Sequence, residues 1–156
     1  MTKQDAADND NNEQLESFIA FRDANWSGDL TELQLIISTH LYIENGLDEM
    51  LDKIFKYDNE ITKLPFKHKL IVASGVGLDH EEIEMFKKIN SLRNKFAHKL
   101  NYKINWNDIS TLSKHSTYTK RDWDKDKTRV LSYILSAVLG LTTVAFEYGA
   151  KIKIEK

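Results

Sequence analysis

Apolar residues recur along most of the chain at the three- and four-residue spacing of an α-helix, and no segment shows the regular alternation of a strand. The longest such segment covers residues 30–57, and Asp29 or Thr31 can cap a helix there. A second helix is predicted over residues 65–73, because Pro65 suits a first helical turn. A third is predicted from Asp79, as its cap, to about residue 100.

Three further segments complete the pattern. Residues 13–23 and 106–112 each predict a short helix, and residues 123–151 predict a long one. Residues 1–12 are acidic and rich in asparagine, which is typical of a disordered leader. The pattern therefore predicts an all-α fold, with a single helical domain over residues 13–156 that contains four main helices in a bundle and short helices besides.

The composition of the 156-residue chain excludes several kinds of chemistry. The chain has no cysteine, which excludes disulfides, zinc–thiolate sites, iron–sulfur clusters and cysteine nucleophiles. Its six glycines form no phosphate-binding loop of the P-loop or dinucleotide type. We therefore expect no cofactor and no metal site.

Residues 130–148 form an apolar run about as long as a membrane span. The run contains five polar residues, which are Ser132, Ser136, Thr142, Thr143 and Glu147. It is therefore interpreted as a helix buried in a bundle and not as a membrane helix. The N-terminus lacks the apolar segment of a secretory signal, so a cytoplasmic protein is predicted.

The third predicted helix contains the sequence RNKFAH at residues 93–98. Asn94 and His98 are four positions apart and share one helix face, whereas Arg93 points about 140° away from His98 around the axis. A flexible arginine can turn its guanidinium toward that face, so one pocket could hold all three groups.

These three groups suit phosphoryl chemistry on RNA without a metal ion. A histidine can take the proton of a 2′-hydroxyl or give one to the leaving 5′-oxygen, and a guanidinium can bind the phosphate. An amide can orient the histidine or a substrate oxygen. The structural alternative is a histidine placed favourably at a helix C-terminus and an arginine paired with an acid.

The longest predicted helix carries two polar residues on an otherwise apolar stripe. Positions 33, 37, 40, 44, 47, 51 and 54 form a heptad seam, in which only His40 and Glu44 are not apolar. Both are predicted to face inward and to support the motif, with Arg93 as the partner that a buried Glu44 requires. The alternatives are a structural His–Glu pair, a stripe that turns outward at a gap between helices, and a metal face that lacks a third ligand.

The net charge of −2 is the sum of two opposite parts. Residues 85–129 hold twelve basic and four acidic residues, a charge of +8, so the other 111 residues carry −10. The lysines predicted to bind RNA are Lys87, Lys88, Lys95, Lys99 and Lys103. The aromatic residues placed among the basic residues, as surfaces for unpaired bases, are Tyr102, Trp106, Tyr118 and Trp123. The alternatives are a solvated lysine-rich loop with its aromatics in the core, or a surface for the acidic leader or an acidic protein.

The RNKFAH sequence resembles the R-x4-H motif of the HEPN superfamily (higher eukaryotes and prokaryotes nucleotide-binding), including the polar residue after the arginine. The stretch KKINSLRNKFAHKL is similar to the same helix of bacterial HEPN-like families, including mannitol-repressor-like proteins. HLYIENGLDEML resembles the long helix that packs beside it. The resemblance covers about residues 30–150 and implies a HEPN-like bundle of four main antiparallel helices.

The resemblance further implies a metal-independent endoribonuclease that acts as a toxin or as an antiphage or stress effector. Arg93 and His98 would be the catalytic pair, with Asn94 beside them, and cleavage would leave a 2′,3′-cyclic phosphate and a 5′-hydroxyl. A homodimer in which the two motifs meet is implied, with an antitoxin or regulatory protein as a further partner. Leu100 stands where toxins controlled by a nucleotidyltransferase usually carry tyrosine, so control by tyrosine adenylylation is not expected.

Two other functions fit the same residues. One is a non-catalytic HEPN-fold regulator or interaction module, similar to the mannitol-repressor-like group, that binds nucleic acid or a protein. The other is a structural helical subunit of a larger assembly, which would neither cleave nor bind RNA.

Overall fold

The structure, a computed structural model, describes residues 16, 20, 31–56, 60–99, 101–114 and 126–154, and gives only the backbone of residues 148–154. The chain divides into two compact units, residues 1–30 and residues 31–156. In the first unit Glu16 and Ala20 are helical and exposed, whereas the predicted leader and the other residues of the predicted helix over 13–23 lie outside the described residues. Every regular element in the described part of the chain is helical, which agrees with the predicted all-α class.

The described residues of the second unit form five α-helices and one 3₁₀ turn, Ile61–Lys63. The helices are α1 (Glu32–Ile54), α2 (Phe66–Gly75), α3 (His80–His98), α4 (Trp106–Ser113) and α5 (Lys127–Ile154). α2 begins one residue after Pro65, and α5 begins four residues later than the sequence pattern predicts.

Side-chain hydrogen bonds determine where three of these helices begin. Thr31 caps α1 in a capping box, in which the Thr31 backbone N–H donates to Gln34 Oε1 at 2.9 Å. Asp79 caps α3, as predicted from the sequence. Asn105 and Asp108 form a second capping box at the start of α4. Each cap satisfies a backbone N–H that lacks a helical partner, so these starts are set by local sequence.

The hydrophobic core lies where α1, α3 and α5 meet. The fully buried side chains there include Ile43, Leu47, Phe86, Ile89, Leu92, Ile134, Leu135 and Val138. α1 and α5 pack closely at Gly46, because the Phe146 ring fills the space that a side chain at Gly46 would occupy. Phe146 also contacts Phe86, with ring centroids 5.6 Å apart, so one aromatic pair joins all three helices.

α1 and α5 run in the same direction, which differs from the predicted antiparallel bundle. Ile104 joins the beginnings of the two helices: its N–H donates to Glu32 Oε2 at 2.9 Å, and its carbonyl accepts from Lys127 Nζ at 3.1 Å. Further along both helices the Tyr42 and Thr143 hydroxyls are 2.7 Å apart. Because successive contacts lie further along both helices, α1 and α5 are parallel.

α2 also runs parallel to α1, and of the four main helices only α3 runs against the others. Phe66, at the start of α2, packs on His40 in the middle of α1, and Lys69 Nζ lies 2.7 Å from Asp48 Oδ1 further along. α3 reverses this order: Phe86 meets Phe146 beside Gly46, whereas Asn90, further along α3, contacts His40, which comes earlier in α1. Between α1 and α2 the 3₁₀ turn Ile61–Lys63 also packs against α1, which places the start of α2 back beside the middle of α1.

The N-terminal part of the predicted α1 seam is exposed, whereas His40 faces inward as predicted. Leu47 and Leu51 are fully buried, but Leu33 and Ile37 are 41 % and 40 % exposed. α2 begins beside His40, so it covers the seam only from that residue onward. The first two turns of the stripe therefore present apolar side chains to solvent.

α5 is long and apolar enough to cross a membrane over Lys127–Glu147, where mean hydropathy is 1.7. Within the bundle one face of this helix is fully buried, and its buried residues include Val130, Leu131, Leu139 and Thr142. The core helix of a bundle passes the same test of length and composition, so this helix is weak evidence for a membrane. Its packing agrees with the predicted bundle helix.

Candidate active site on the third helix

A cavity of about 400 Å³ lies along the polar face of α3. Its lining comprises Lys87, Asn90, Ser91, Asn94, Lys95, His98 and Lys99. These positions recur every three or four residues, so they form one stripe, while the opposite stripe of α3 is buried in the core. No lining residue is acidic, and the lining consists of amides, a hydroxyl, an imidazole and ammonium groups.

The structure brings Asn94 and His98 together in this cavity, as predicted, but places Arg93 at its edge. Arg93 is exposed and is not a lining residue. Its Nη1 donates to Asn94 Oδ1 at 3.1 Å, so the guanidinium turns toward the cavity through Asn94. The angle of about 140° between positions 93 and 98 on a helix explains why a single copy of α3 does not present both groups directly.

His98 is the last residue of α3 and is exposed. The helix ends there because the backbone of Lys99 is extended, although its N–H still donates to the Lys95 carbonyl. Among the described residues none forms a hydrogen bond or an ion pair with His98. The imidazole is thus accessible at the open end of the cavity.

His40 lies behind the cavity and is 5 % exposed. Its Nε2 is 3.0 Å from Asn90 Oδ1, and its ring packs on Phe66 with centroids 4.6 Å apart. Burial lowers the pKa of His40, and the charge of Arg93 lowers it further, although Glu44 and the bond to Asn90 act in the opposite direction. The imidazole is therefore neutral at neutral pH.

Glu44 pairs with Lys69 and not with Arg93, so the predicted Glu44–Arg93 pair is wrong. Lys69 Nζ lies 3.5 Å from Glu44 Oε1 and 2.7 Å from Asp48 Oδ1, and Lys69 is 4 % exposed. Glu44 Oε2 is 3.8 Å from His40 Nδ1. The reason is that α2 runs along this part of α1, and its buried lysine reaches both carboxylates.

Lys69 and Asn90 belong to this region but were not predicted from the sequence. Asn90 lies four residues before Asn94, so helical spacing alone could have placed it on the cavity face. Glu44 and Asp48 are also four residues apart and pointed to a cation, but nothing local indicated that α2 would supply it. Within the described ranges no three His, Asp or Glu side chains form a group that could hold a metal ion.

Three of the five lysines predicted to bind RNA have carboxylate partners. Lys87 Nζ is 2.7 Å from Glu84 Oε1, and Lys88 and Lys95 are 3.7 Å and 3.1 Å from Asp108 Oδ1. The other two, Lys99 and Lys103, are exposed and follow the end of α3. Their charges are the ones most open to an anionic ligand.

Asp108 on α4 anchors the far side of the cavity. It is 2 % exposed and accepts hydrogen bonds from Tyr102 and Lys95. Burial alone would raise the pKa of Asp108, but these hydrogen bonds outweigh it and hold the pKa below its usual value. The hydrogen bond to Asp108 raises the pKa of Lys95, so the Lys95 ammonium is tied to the fold.

The four aromatic residues predicted to stack on bases have different environments. The Tyr102 ring packs edge-on against Phe96, with centroids 5.1 Å apart, and its hydroxyl is bound to Asp108. Trp106 is 39 % exposed. Tyr118 and Trp123 lie outside the described residues.

Comparisons with protein-family models, with curated proteins and with solved structures give no match to this chain. The likeness to the HEPN superfamily therefore rests on the R-x4-H motif and its flanking sequence.

We predict that Asp108→Asn destabilises the protein by about 2 kcal/mol at pH 7, because it weakens charged hydrogen bonds to a buried carboxylate. A carboxyl whose pKa is depressed on folding stabilises the fold above its unfolded pKa, and this stabilisation disappears as the pH falls through the folded pKa. The difference between wild type and variant should therefore narrow below about pH 4. Urea unfolding at pH 7 and pH 3 measures this difference in the free energy of unfolding. Asp52→Asn is the control, because Asp52 is an exposed aspartate on α1. Equal stability of Asp108→Asn and wild type at pH 7 would contradict the account.

Proposed function

We propose that this chain is a metal-independent endoribonuclease whose active site is the polar face of α3. The observation that carries the proposal is the cavity itself. It contains His98 and Asn94 of the R-x4-H motif, and its lining offers cationic and hydrogen-bond-donating groups with no carboxylate. Such a lining suits the phosphodiester backbone of RNA, which is anionic and rich in acceptors.

In the proposed reaction the RNA 2′-oxygen attacks the adjacent phosphorus as His98 accepts its proton. The bond from phosphorus to the 5′-oxygen breaks, and that oxygen takes up a proton, which an imidazolium can supply. The products are a 2′,3′-cyclic phosphate and a 5′-hydroxyl. Arg93 stabilises the charge on the non-bridging oxygens, and Asn94 orients the guanidinium that it already contacts.

We further propose that the active form is a homodimer. Arg93 lies at the edge of its own cavity, so a second copy can complete the site by bringing its motif to the same cleft. Leu33 and Ile37 support this arrangement, because they expose apolar surface on the α1 stripe that leads toward His40, which contacts the cavity residue Asn90. An interface there would cover the uncovered half of the seam.

The biological setting proposed for this activity rests on the resemblance alone. It is that of a cytoplasmic toxin or an antiphage or stress effector, with an antitoxin or regulatory protein as a partner. Tyr102, the tyrosine nearest to the motif, is bound to Asp108, so its hydroxyl is not available for modification in this arrangement.

A second candidate is a non-catalytic regulator or interaction module that binds nucleic acid or a protein through the same face. The observation that favours it is that the motif side chains are not arranged for catalysis within one copy of the chain. No described residue orients the His98 imidazole, and Arg93 lies outside the cavity that His98 lines. Binding without cleavage would identify this candidate.

We predict that the purified protein cleaves single-stranded RNA in EDTA, and that His98→Ala and Arg93→Ala each reduce the rate by about 100-fold or more. His68→Ala is the matched control, because His68 is an exposed histidine on α2. Gel analysis of a labelled RNA measures the rate and identifies the cyclic phosphate. Full activity in both motif variants would overturn the ribonuclease proposal.

We also predict that Ile37→Asp yields a monomer that is folded but cleaves RNA poorly. Ile37 is 40 % exposed, so a charge there should disturb an interface more than the core. Ile71→Asp is the matched control, because Ile71 is 62 % exposed on α2. Sedimentation velocity measures the oligomeric state. A wild-type monomer, or an Ile37→Asp variant that remains a dimer, would contradict the proposed assembly.

A further inference from the structure

Asn90 connects the cavity to the buried side of α1. It lines the cavity with Asn94 and His98, and its Oδ1 lies 3.0 Å from His40 Nε2. With the Asn90 amide in this orientation, its Oδ1 accepts and the His40 Nε2–H donates. The Asn90 oxygen is then engaged by His40, and its NH₂ group is the donor that the cavity can use.

His40 is held in place by burial and ring packing. It is 5 % exposed, and its ring packs on Phe66 with centroids 4.6 Å apart. A side chain with so little freedom fixes the direction of the hydrogen bond that it donates, and thus the orientation of the Asn90 amide.

Asn94 has the same arrangement one turn further along α3. Its Oδ1 accepts from Arg93 Nη1, which leaves its NH₂ group for the cavity. Two amides about 6 Å apart along the helix therefore both offer donors to the same cavity. The remaining lining groups nearby are the Ser91 hydroxyl and the ammonium groups of Lys87 and Lys99, so no lining group is an obligate acceptor.

We propose that Asn90 and Asn94 bind the phosphodiester groups of a single RNA strand, and that His40 is the positioning residue that orients Asn90. The inference rests on the proposed function and names the contacts through which that site holds its substrate. Asn90 lies about 12 Å from His98 along the helix, so it binds a phosphate other than the scissile one. Loss of Asn90 should therefore weaken substrate binding and leave the chemical step nearly unchanged.

The test uses the full chain and a 12-nucleotide single-stranded RNA that is 2′-O-methylated throughout, so that it cannot be cleaved. Fluorescence anisotropy gives Kd for the wild type and for Asn90→Ala, which we expect to bind about 10-fold more weakly. Asn45→Ala is the matched control, because Asn45 is an exposed helical asparagine on α1. With cleavable RNA, Asn90→Ala should raise KM by a similar factor at unchanged kcat.

Substitutions of His40 separate positioning from a merely structural role. His40→Leu removes the donor to Asn90 and should weaken binding as Asn90→Ala does, whereas His40→Gln keeps a donor and should restore most of the affinity. In the double variant of His40→Leu and Asn90→Ala the two effects should not add, because both act through the same amide. Circular dichroism and thermal unfolding check that each variant is folded.

The inference would be overturned by unchanged RNA affinity in Asn90→Ala or by additive losses in the double variant. It would also be overturned if the wild type bound the oligonucleotide no better than a folded Lys99→Glu variant does. If inorganic phosphate displaced the oligonucleotide and the affinity did not depend on strand length, the cavity would be a simple anion site, which would overturn the inference as well. Asn90-dependent binding without cleavage would overturn only the ribonuclease proposal, and cleavage without a role for Asn90 would overturn only this inference.

Discussion

Burial of one face of α3 against α1 and α5 determines where its other face lies. Phe86, Ile89 and Leu92 are fully buried, and the ring of Phe86 meets Phe146 at the point where α5 approaches Gly46. Once those side chains are in the core, the helical period places Asn90, Asn94 and His98 together on the opposite side. The position of the cavity is therefore a consequence of core packing.

The positive charge of the cavity lining depends on the positions of nearby carboxylates as much as on the number of lysines. Asp108 is buried behind the cavity and binds Lys95, while Glu84 pairs with Lys87 further along α3. Glu44 and Asp48 both lie within ion-pair distance of Lys69, and neither lines the cavity. No carboxylate enters the cavity lining, so the lining can receive an anionic strand without repulsion.

Local features of the fold were predictable from the sequence, whereas features that depend on how helices meet were not. Thr31, Asp79 and Asn105 determine helix starts through side chains within three residues, and helical spacing correctly placed Asn94 and His98 on one face. The position of α2 depends on contacts between residues distant in sequence: Phe66 packs on His40, and Lys69 reaches Glu44 in place of Arg93. Because α2 begins beside His40, Leu33 and Ile37 stay exposed, although their spacing is that of a buried seam.

We propose that the α3 cavity binds a single RNA strand beside His98. The most direct test of this binding is nuclear magnetic resonance of protein labelled on asparagine and histidine, titrated with a 2′-O-methylated single-stranded RNA in EDTA. We predict that the side-chain amide signals of Asn90 and Asn94 and the imidazole signals of His98 shift together and saturate, while those of Asn45 and His68 do not move. Saturable binding that leaves the Asn90, Asn94 and His98 signals unchanged would contradict the account.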